Sequence, residues 1–137
     1  MPAFSRQAIL NRILLPVVLL GMLQPITTAA DEIADAIGVI ARTGEQARGS
    51  TAAAAAVKRL CQEDISLLPR LLAAMDTPNI VAANWYRQAY EVIVESEMEK
   101  ENPLLPVDML KEFVLDRKHQ GRVRRLAWDL LDRAEPG

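Results

Sequence analysis

Residues 67–76, with the sequence LLPRLLAAMD, decide the fold of this chain. Their apolar residues recur at three- and four-residue spacing, which places them on one face of an α-helix. Pro69 fits such a helix only in its first turn or at a kink. After a short polar turn, apolar and small residues at helical spacing resume at Val81. The stretch therefore predicts two helices joined by a turn.

The same arrangement returns about forty residues further on. There, residues 109–116 (MLKEFVLD) precede a second polar turn and residues 123–127 (VRRLA). A helix pair that recurs with this period is typical of stacked α-helical repeats. From residue 31 onward, no stretch alternates apolar and polar residues over the length of a strand. We therefore expect an all-α protein.

The local pattern resembles that of HEAT repeats, in which Leu-Leu-Pro-x-Leu-Leu, an aspartate turn and Val-Arg-x-x-Ala follow one another. Residues 67–72 match its first part and residues 123–127 its last part. Ala82 and Trp85 depart from it, and the second unit has no proline in its first helix. The resemblance extends to secreted bacterial HEAT-repeat proteins of unassigned activity, such as those of planctomycetes. It implies antiparallel helix pairs stacked as a short HEAT-like superhelix.

The predicted domain organisation has three parts. Residues 1–30 form a signal segment, residues 31–61 a degenerate helix pair, and residues 62–135 two HEAT-like repeats. Within the degenerate pair, glycines interrupt the helical pattern before an alanine-rich helix. Ser50 or Thr51 is the expected N-cap of that helix, because a short hydroxyl side chain can accept the first unpaired backbone amides.

The first thirty residues have the three parts of a secretory signal peptide. Arg6 and Arg12 are their only charges, residues 13–23 are eleven residues without a polar side chain, and residues 28–30 are small. The apolar run is shorter than the roughly 20 residues that span a bilayer. We expect cleavage after Ala30 and export to the periplasm or the exterior.

An uncleaved signal anchor is the alternative for this segment, and it would be the chain's one contact with a membrane. Gln24 and Pro25 disfavour it, since they interrupt the apolar run. Cleavage removes two of 16 basic residues and none of 18 acidic ones, so the formal charge changes from −2 to 14 − 18 = −4. That acidic balance argues against a nucleic-acid partner.

Composition and motifs favour no enzyme, cofactor or metal. One cysteine and one histidine exclude a multi-cysteine zinc site and paired-histidine metal motifs. The chain has no phosphate-binding glycine loop and no Gly-x-Ser-x-Gly nucleophile motif. His119 is the only base that could serve Ser66 or Ser96, and it lies in a polar linker where we expect an exposed turn residue. We therefore predict no catalytic, cofactor-binding or metal-binding residues.

Two charged clusters lie in successive repeats. Glu91, Glu95 and Glu99 share one helix face, with Glu97 and Glu101 beside them. A solvated acidic face is favoured over a calcium site, because calcium takes six to eight oxygens, commonly from a flexible loop. The basic cluster consists of Arg117, Lys118, Arg122, Arg124 and Arg125.

These clusters predict ion pairs between repeats, because adjacent repeats bring equivalent segments together. We expect Glu91, Glu95 or Glu99 to pair with Arg122 or Arg125.

Aromatic residues and arginine dominate binding energy at protein interfaces. Adjacent helical residues point about 100° apart, so at least one of Trp85 and Tyr86 is expected at the surface. In the alternative, Trp85 packs between repeats and Tyr86 only flanks it. The candidate interaction surface consists of Trp85, Tyr86, Arg87, Tyr90, Arg122, Arg125 and Trp128.

The predicted function is an exported protein–protein interaction scaffold without catalytic activity and with an unknown protein partner. In the alternative, the chain is the N-terminal module of a larger envelope protein or an accessory subunit of an envelope enzyme. Leu126, Trp128 and Leu130 spread over more than one face of the last helix. Since they cannot all turn inward, we expect further repeats beyond Gly137 or end-to-end self-association.

Overall fold

A computed structural model describes residues 28–44, 46 and 48–135. Over these residues the chain is all-helical and contains no strand, so the predicted all-α class is confirmed. The expected signal segment lies outside the described residues except for residues 28–30. The helices are α1 (Ala29–Ala41), α2 (Ser50–Leu60), α3 (Leu68–Met75), α4 (Ile80–Met98), α5 (Val107–Leu115) and α6 (Gly121–Ala134).

Helices that are neighbours in sequence pack as pairs: α1 with α2, α3 with α4, and α5 with α6. Helix α4 also lies against α1 and α2, and α3 contacts α6. Apolar side chains from all six helices join in one core, as expected when no pair can bury its apolar face alone. None of the described helices combines the length and the apolar character needed to cross a membrane.

Helix α3 begins at Leu68, after a separate turn. A single 3₁₀ turn over Ile65–Leu67 leads into it, and Asp64 caps that turn by accepting a hydrogen bond from Ser66 N at 2.8 Å. Pro69 lies in the first turn of α3, where its missing amide hydrogen has no intrahelical acceptor to lose. The helix therefore needs no kink.

Helices α1 and α2 begin with different kinds of cap. Helix α1 begins at Ala29, and Thr28 and Asp31 cap it by bonding each other's backbone amides at 3.1 and 3.3 Å. This cap lies on the N-terminal side of the expected cleavage point after Ala30. The prediction of Ser50 or Thr51 as N-cap of α2 is wrong. Gly49 takes that place with φ of 79°, a left-handed conformation that glycine adopts without steric cost.

Asn79 connects the start of α4 to the end of α1. Its side-chain oxygen accepts a hydrogen bond from Ala82 N at 3.2 Å, which caps α4. Its side-chain nitrogen donates to Thr43 O at 2.9 Å and to Ala41 O at 3.3 Å. The last carbonyls of a helix have no intrahelical donor, so one side chain satisfies groups at two helix ends.

Glu97 fixes the other end of α4 and is not part of a solvated acidic face. Its side chain is only 2% exposed. It lies 2.5 Å from Lys100 Nζ and accepts a hydrogen bond from Leu104 N at 2.7 Å. The ion pair with Lys100 and the hydrogen bond from Leu104 lower the pKa of Glu97. The carboxylate therefore holds the segment between α4 and α5 against the end of its own helix.

Replacing Asn79 by alanine is expected to lower the free energy of unfolding by about 1–2 kcal/mol, because it removes a helix cap and a link between helix pairs. Chemical denaturation followed by circular dichroism measures this. Asn84→Ala is the matched control, since Asn84 lies exposed on the same helix. Equal losses in both variants would show that the Asn79 contacts contribute nothing specific.

Candidate functional site

Tyr86 and Tyr90 belong to the core, so their assignment to an interaction surface is wrong. They are 2% and 4% exposed. Tyr86 OH donates to Ile37 O at 2.7 Å, and Tyr90 OH donates to Leu126 O at 3.4 Å. Burial raises the pKa of Tyr86, and it raises the pKa of Tyr90 to about 12. Their spacing of four residues, in register with Ile93, was the sequence signal for this buried face.

Trp85 is partly buried and packs against the core. Of the two adjacent aromatic residues it is therefore Trp85 that keeps some exposure, while Tyr86 is enclosed. The expectation that one of them reaches the surface is met only in this partial sense. Trp85 does not line the groove described next.

Helices α4 and α6 lie side by side and run in the same direction. Arg87 and Arg125, in the first half of each helix, flank one end of their contact, and Glu95 and Arg133 meet at the other end. A groove of about 200 Å³ opens between the two helices. The groove is lined by Met75, Ala83, Asn84, Arg87, Arg122, Val123, Arg125, Leu126 and Asp129.

The groove brings together three of the seven predicted interaction residues, namely Arg87, Arg122 and Arg125. Arg87 Nε pairs with Glu91 at 2.8 Å, and Arg125 Nε pairs with Asp129 at 2.8 Å. Both arginine side chains stay more than half exposed, at 59% and 76%. Exposed ion pairs of this kind contribute only about 0–1 kcal/mol, so a ligand can displace them at low cost.

Arg122 has a structural role at one end of the groove. Its Nη2 donates to Met75 O at 3.3 Å and to Thr77 O, and its Nε donates to Gln120 Oε1 at 3.0 Å. These acceptors lie at the end of α3, in the turn after it and in the turn before α6. Arg122 thus fixes the turn of one helix pair to the start of the next.

Asp76 and His119 form a second contact between the same two turns. His119 Nδ1 lies 2.8 Å from Asp76 Oδ2, and Gln120 N donates to Asp76 Oδ1 at 2.9 Å. The imidazole ring stacks on Phe113 with centroids 3.9 Å apart and an angle of 9° between planes. The prediction of an exposed turn residue at position 119 is therefore wrong, because a carboxylate from the preceding helix pair and an aromatic ring cover the side chain to 26% exposure.

The pKa of Asp76 reflects this environment. Burial raises it, but hydrogen bonds from Gln120 N and His119, together with the charges of His119 and Arg122, outweigh the burial. The net result is a pKa below the usual value for aspartate. Aspartate at positions 76 and 116, the ends of two equivalent helices, was the only sequence signal for a polar contact at these turns.

The predicted pairing of Glu91, Glu95 or Glu99 with Arg122 or Arg125 is wrong. Glu91 pairs within α4 with Arg87, whereas Glu95 pairs with Arg133 Nη1 at 2.9 Å. Because α4 and α6 run parallel, the acidic second half of α4 faces the second half of α6. The arginines at the start of α6 are too far along the helix to reach it.

A second depression, of about 320 Å³, lies on the far side of α6 from α4. Trp128 is 50% exposed there and Leu115 is 77% exposed. Leu130 is buried and Leu126 is partly buried. The expected uncovered apolar patch is therefore present, but it consists of Trp128 and Leu115. The depression is lined by Lys111, Val114, Leu115, Trp128, Leu131, Asp132 and Glu135.

Within residues 28–44, 46 and 48–135, no three His, Cys, Asp or Glu side chains are placed to hold a metal ion. His119, the only histidine, is engaged with Asp76 and Phe113.

The stability of the protein is expected to fall at acidic pH, because the pKa of Asp76 is lower in the folded chain than in the unfolded chain. The stabilisation is complete well above the unfolded value of about 4 and is lost as the pH falls through the folded pKa. Asp76→Asn should lower the free energy of unfolding at pH 7 by about 1–2 kcal/mol and flatten its acid dependence. Thermal unfolding between pH 7 and pH 3 tests this, with the exposed Asp35→Asn as control. An unchanged acid dependence in Asp76→Asn would contradict the assignment.

Comparisons with protein-family models, with curated proteins and with solved structures give no match. The all-α architecture therefore rests on the structure itself, and the resemblance to HEAT repeats stays a prediction.

Proposed function

We propose that this chain is a non-enzymatic protein-interaction scaffold that binds a segment of another protein in the groove between α4 and α6. One observation carries the proposal: Arg87 of α4 lines a single groove together with Arg122 and Arg125 of α6, from which it is distant in sequence. Arginine is among the residues that contribute most to binding at protein interfaces. The repeat pattern at residues 67–76 and 109–127 supports a HEAT-like array as the scaffold.

The chemistry of the groove favours a partner segment that carries carboxylates. Two exposed guanidinium groups, on Arg87 and Arg125, flank it, and guanidinium binds carboxylate through two parallel hydrogen bonds. Apolar side chains between them, such as Val123 and Leu126, fit a short aliphatic stretch of the same segment. Pairing with Glu91 and Asp129 keeps the arginines in place before the partner arrives.

We also propose that the protein is exported, on the sequence pattern of residues 1–30. Cleavage after Ala30 would remove Thr28 and with it the cap of α1. Asp31 and Glu32 would then be the first residues of the helix, where acidic side chains interact favourably with the helix dipole. Helix α1 therefore keeps favourable charges at its start in the processed chain.

The alternative role is that of an N-terminal module of a larger envelope protein, or of an accessory subunit of an envelope enzyme. The exposed Trp128 and Leu115 favour it, because an apolar end of a repeat array is normally covered by a further unit. This alternative uses the far side of α6 and leaves the groove between α4 and α6 open.

A photo-crosslinking amino acid at position 84 tests the groove, since Asn84 is exposed and lines it. Irradiation of living cells is expected to give an adduct of protein mass, identified by mass spectrometry. Adding Arg87→Glu should reduce its yield about tenfold or more, because charge reversal repels a carboxylate.

The matched controls are the same crosslinker at Thr51 and Lys58→Glu, both at exposed positions of α2. An adduct formed equally well from position 51, or one insensitive to Arg87→Glu but lost with Lys58→Glu, would contradict binding in the groove.

Export is tested by fractionating cells that carry the full-length chain with a C-terminal tag, followed by N-terminal sequencing. The expected product lies outside the cytoplasm and begins at Asp31. A cytoplasmic product that keeps Met1 would contradict both the signal peptide and a role in the envelope.

A further inference from the structure

The far side of α6 combines an uncovered tryptophan with an unusual order of charges. Trp128 lies at the middle of Gly121–Ala134 and is half exposed. Arg124 lies four residues before it and Asp132 lies four residues after it. At about 100° per residue, these three side chains fall within an arc of about 80°. They therefore share one surface, which we call the end face.

This order of charges opposes the dipole of α6. A helix favours acidic residues at its start and basic residues at its end. Helix α6 has no acidic residue in its first turn, and its one basic residue in the last turn, Arg133, faces α4 and pairs with Glu95. Within a single chain, Arg124 Nε donates to Val114 O at 2.8 Å at the end of α5, and Glu135 pairs with Lys111 at 2.8 Å. Asp132 is exposed near the C-terminal end of the helix dipole, and an antiparallel helix would bring a basic side chain to it.

We infer that the end face is a two-fold self-association surface, on which a second copy of this chain packs its α6 antiparallel to the first. Trp128 of each copy lies beside the symmetry axis and covers Leu115 and Trp128 of the other. Arg124 and Asp132 both lie four residues from Trp128, about 6 Å along the helix. The antiparallel arrangement therefore places Arg124 of one copy opposite Asp132 of the second copy. The two-fold symmetry makes this contact twice.

A second copy fits this surface for a specific reason. A two-fold interface requires one patch to be complementary to itself after rotation by 180°. The end face meets that requirement because Arg124 and Asp132 lie at equal distances on either side of Trp128. The inference goes beyond the proposed function, because the groove between α4 and α6 stays open in such a dimer.

Sedimentation velocity of the full chain, as purified from cells, tests the inference over a range of concentrations. The expected result is a monomer–dimer equilibrium without larger species. Trp128→Glu should weaken the dimer about thirtyfold or more, the effect of losing a central aromatic anchor. Val92→Glu is the matched control, since Val92 is also half exposed but lies on α4, and it should leave the dimer unchanged.

Charge reversal tests the antiparallel register. Arg124→Asp alone and Asp132→Arg alone should each weaken the dimer about tenfold, and the two together should restore it. A monomer at every concentration, an open-ended series of oligomers, or a dimer insensitive to Trp128→Glu would overturn the inference. Failure of the double variant to restore the dimer, while its helix content and thermal unfolding match the parent, would overturn the register.

The two proposals fail separately. Arg87→Glu should leave sedimentation unchanged, because Arg87 lies on α4, away from the end face. Trp128→Glu should leave the crosslink from position 84 unchanged.

Discussion

The architecture depends on the position of α4, which two buried tyrosines fix between its neighbours. Tyr86 donates to a backbone carbonyl of α1, and Tyr90, one turn later, donates to a backbone carbonyl of α6. Each ring fills apolar space, while its hydroxyl donates a hydrogen bond to a neighbouring helix pair: the preceding pair for Tyr86 and the following pair for Tyr90. A buried hydroxyl without such a partner costs about 1–3 kcal/mol, so these bonds favour one lateral position of α4 over others.

Polar side chains at the turns form further hydrogen bonds between helix pairs. Asn79 joins the ends of α1 and α4, while Asp76, His119 and Arg122 join the turn after α3 to the start of α6. The distance between α4 and α6 is thus set at their beginning by hydrogen bonds and further along by Tyr90. The groove between α4 and α6 follows from this spacing, because it leaves room between the two helices that the exposed Arg87 and Arg125 flank.

Residues of the same chemical type differ in exposure and in intrachain contacts. Among the arginines, Arg87 and Arg125 stay exposed in the groove, whereas Arg122 satisfies carbonyls of another turn. Among the aromatics, Trp128 is open to solvent and Tyr86 is enclosed. The groove and the end face lie on opposite sides of α6, so one surface can be covered while the other stays open.

The sequence by itself determined the helical class, the polar turn between α3 and α4 and the uncovered Trp128, and it limited Pro69 to a first turn or a kink, since these follow from local spacing and from backbone conformation. Only the tertiary structure decided that Tyr86 and Tyr90 are buried, that His119 contacts Asp76, and which arginine Glu95 meets. Spacing within one helix gives the width of its apolar face but neither its rotation nor its offset against a helix about forty residues away. Those two quantities are fixed by packing between helix pairs, and the contacts of Tyr86, Tyr90, His119 and Glu95 depend on them.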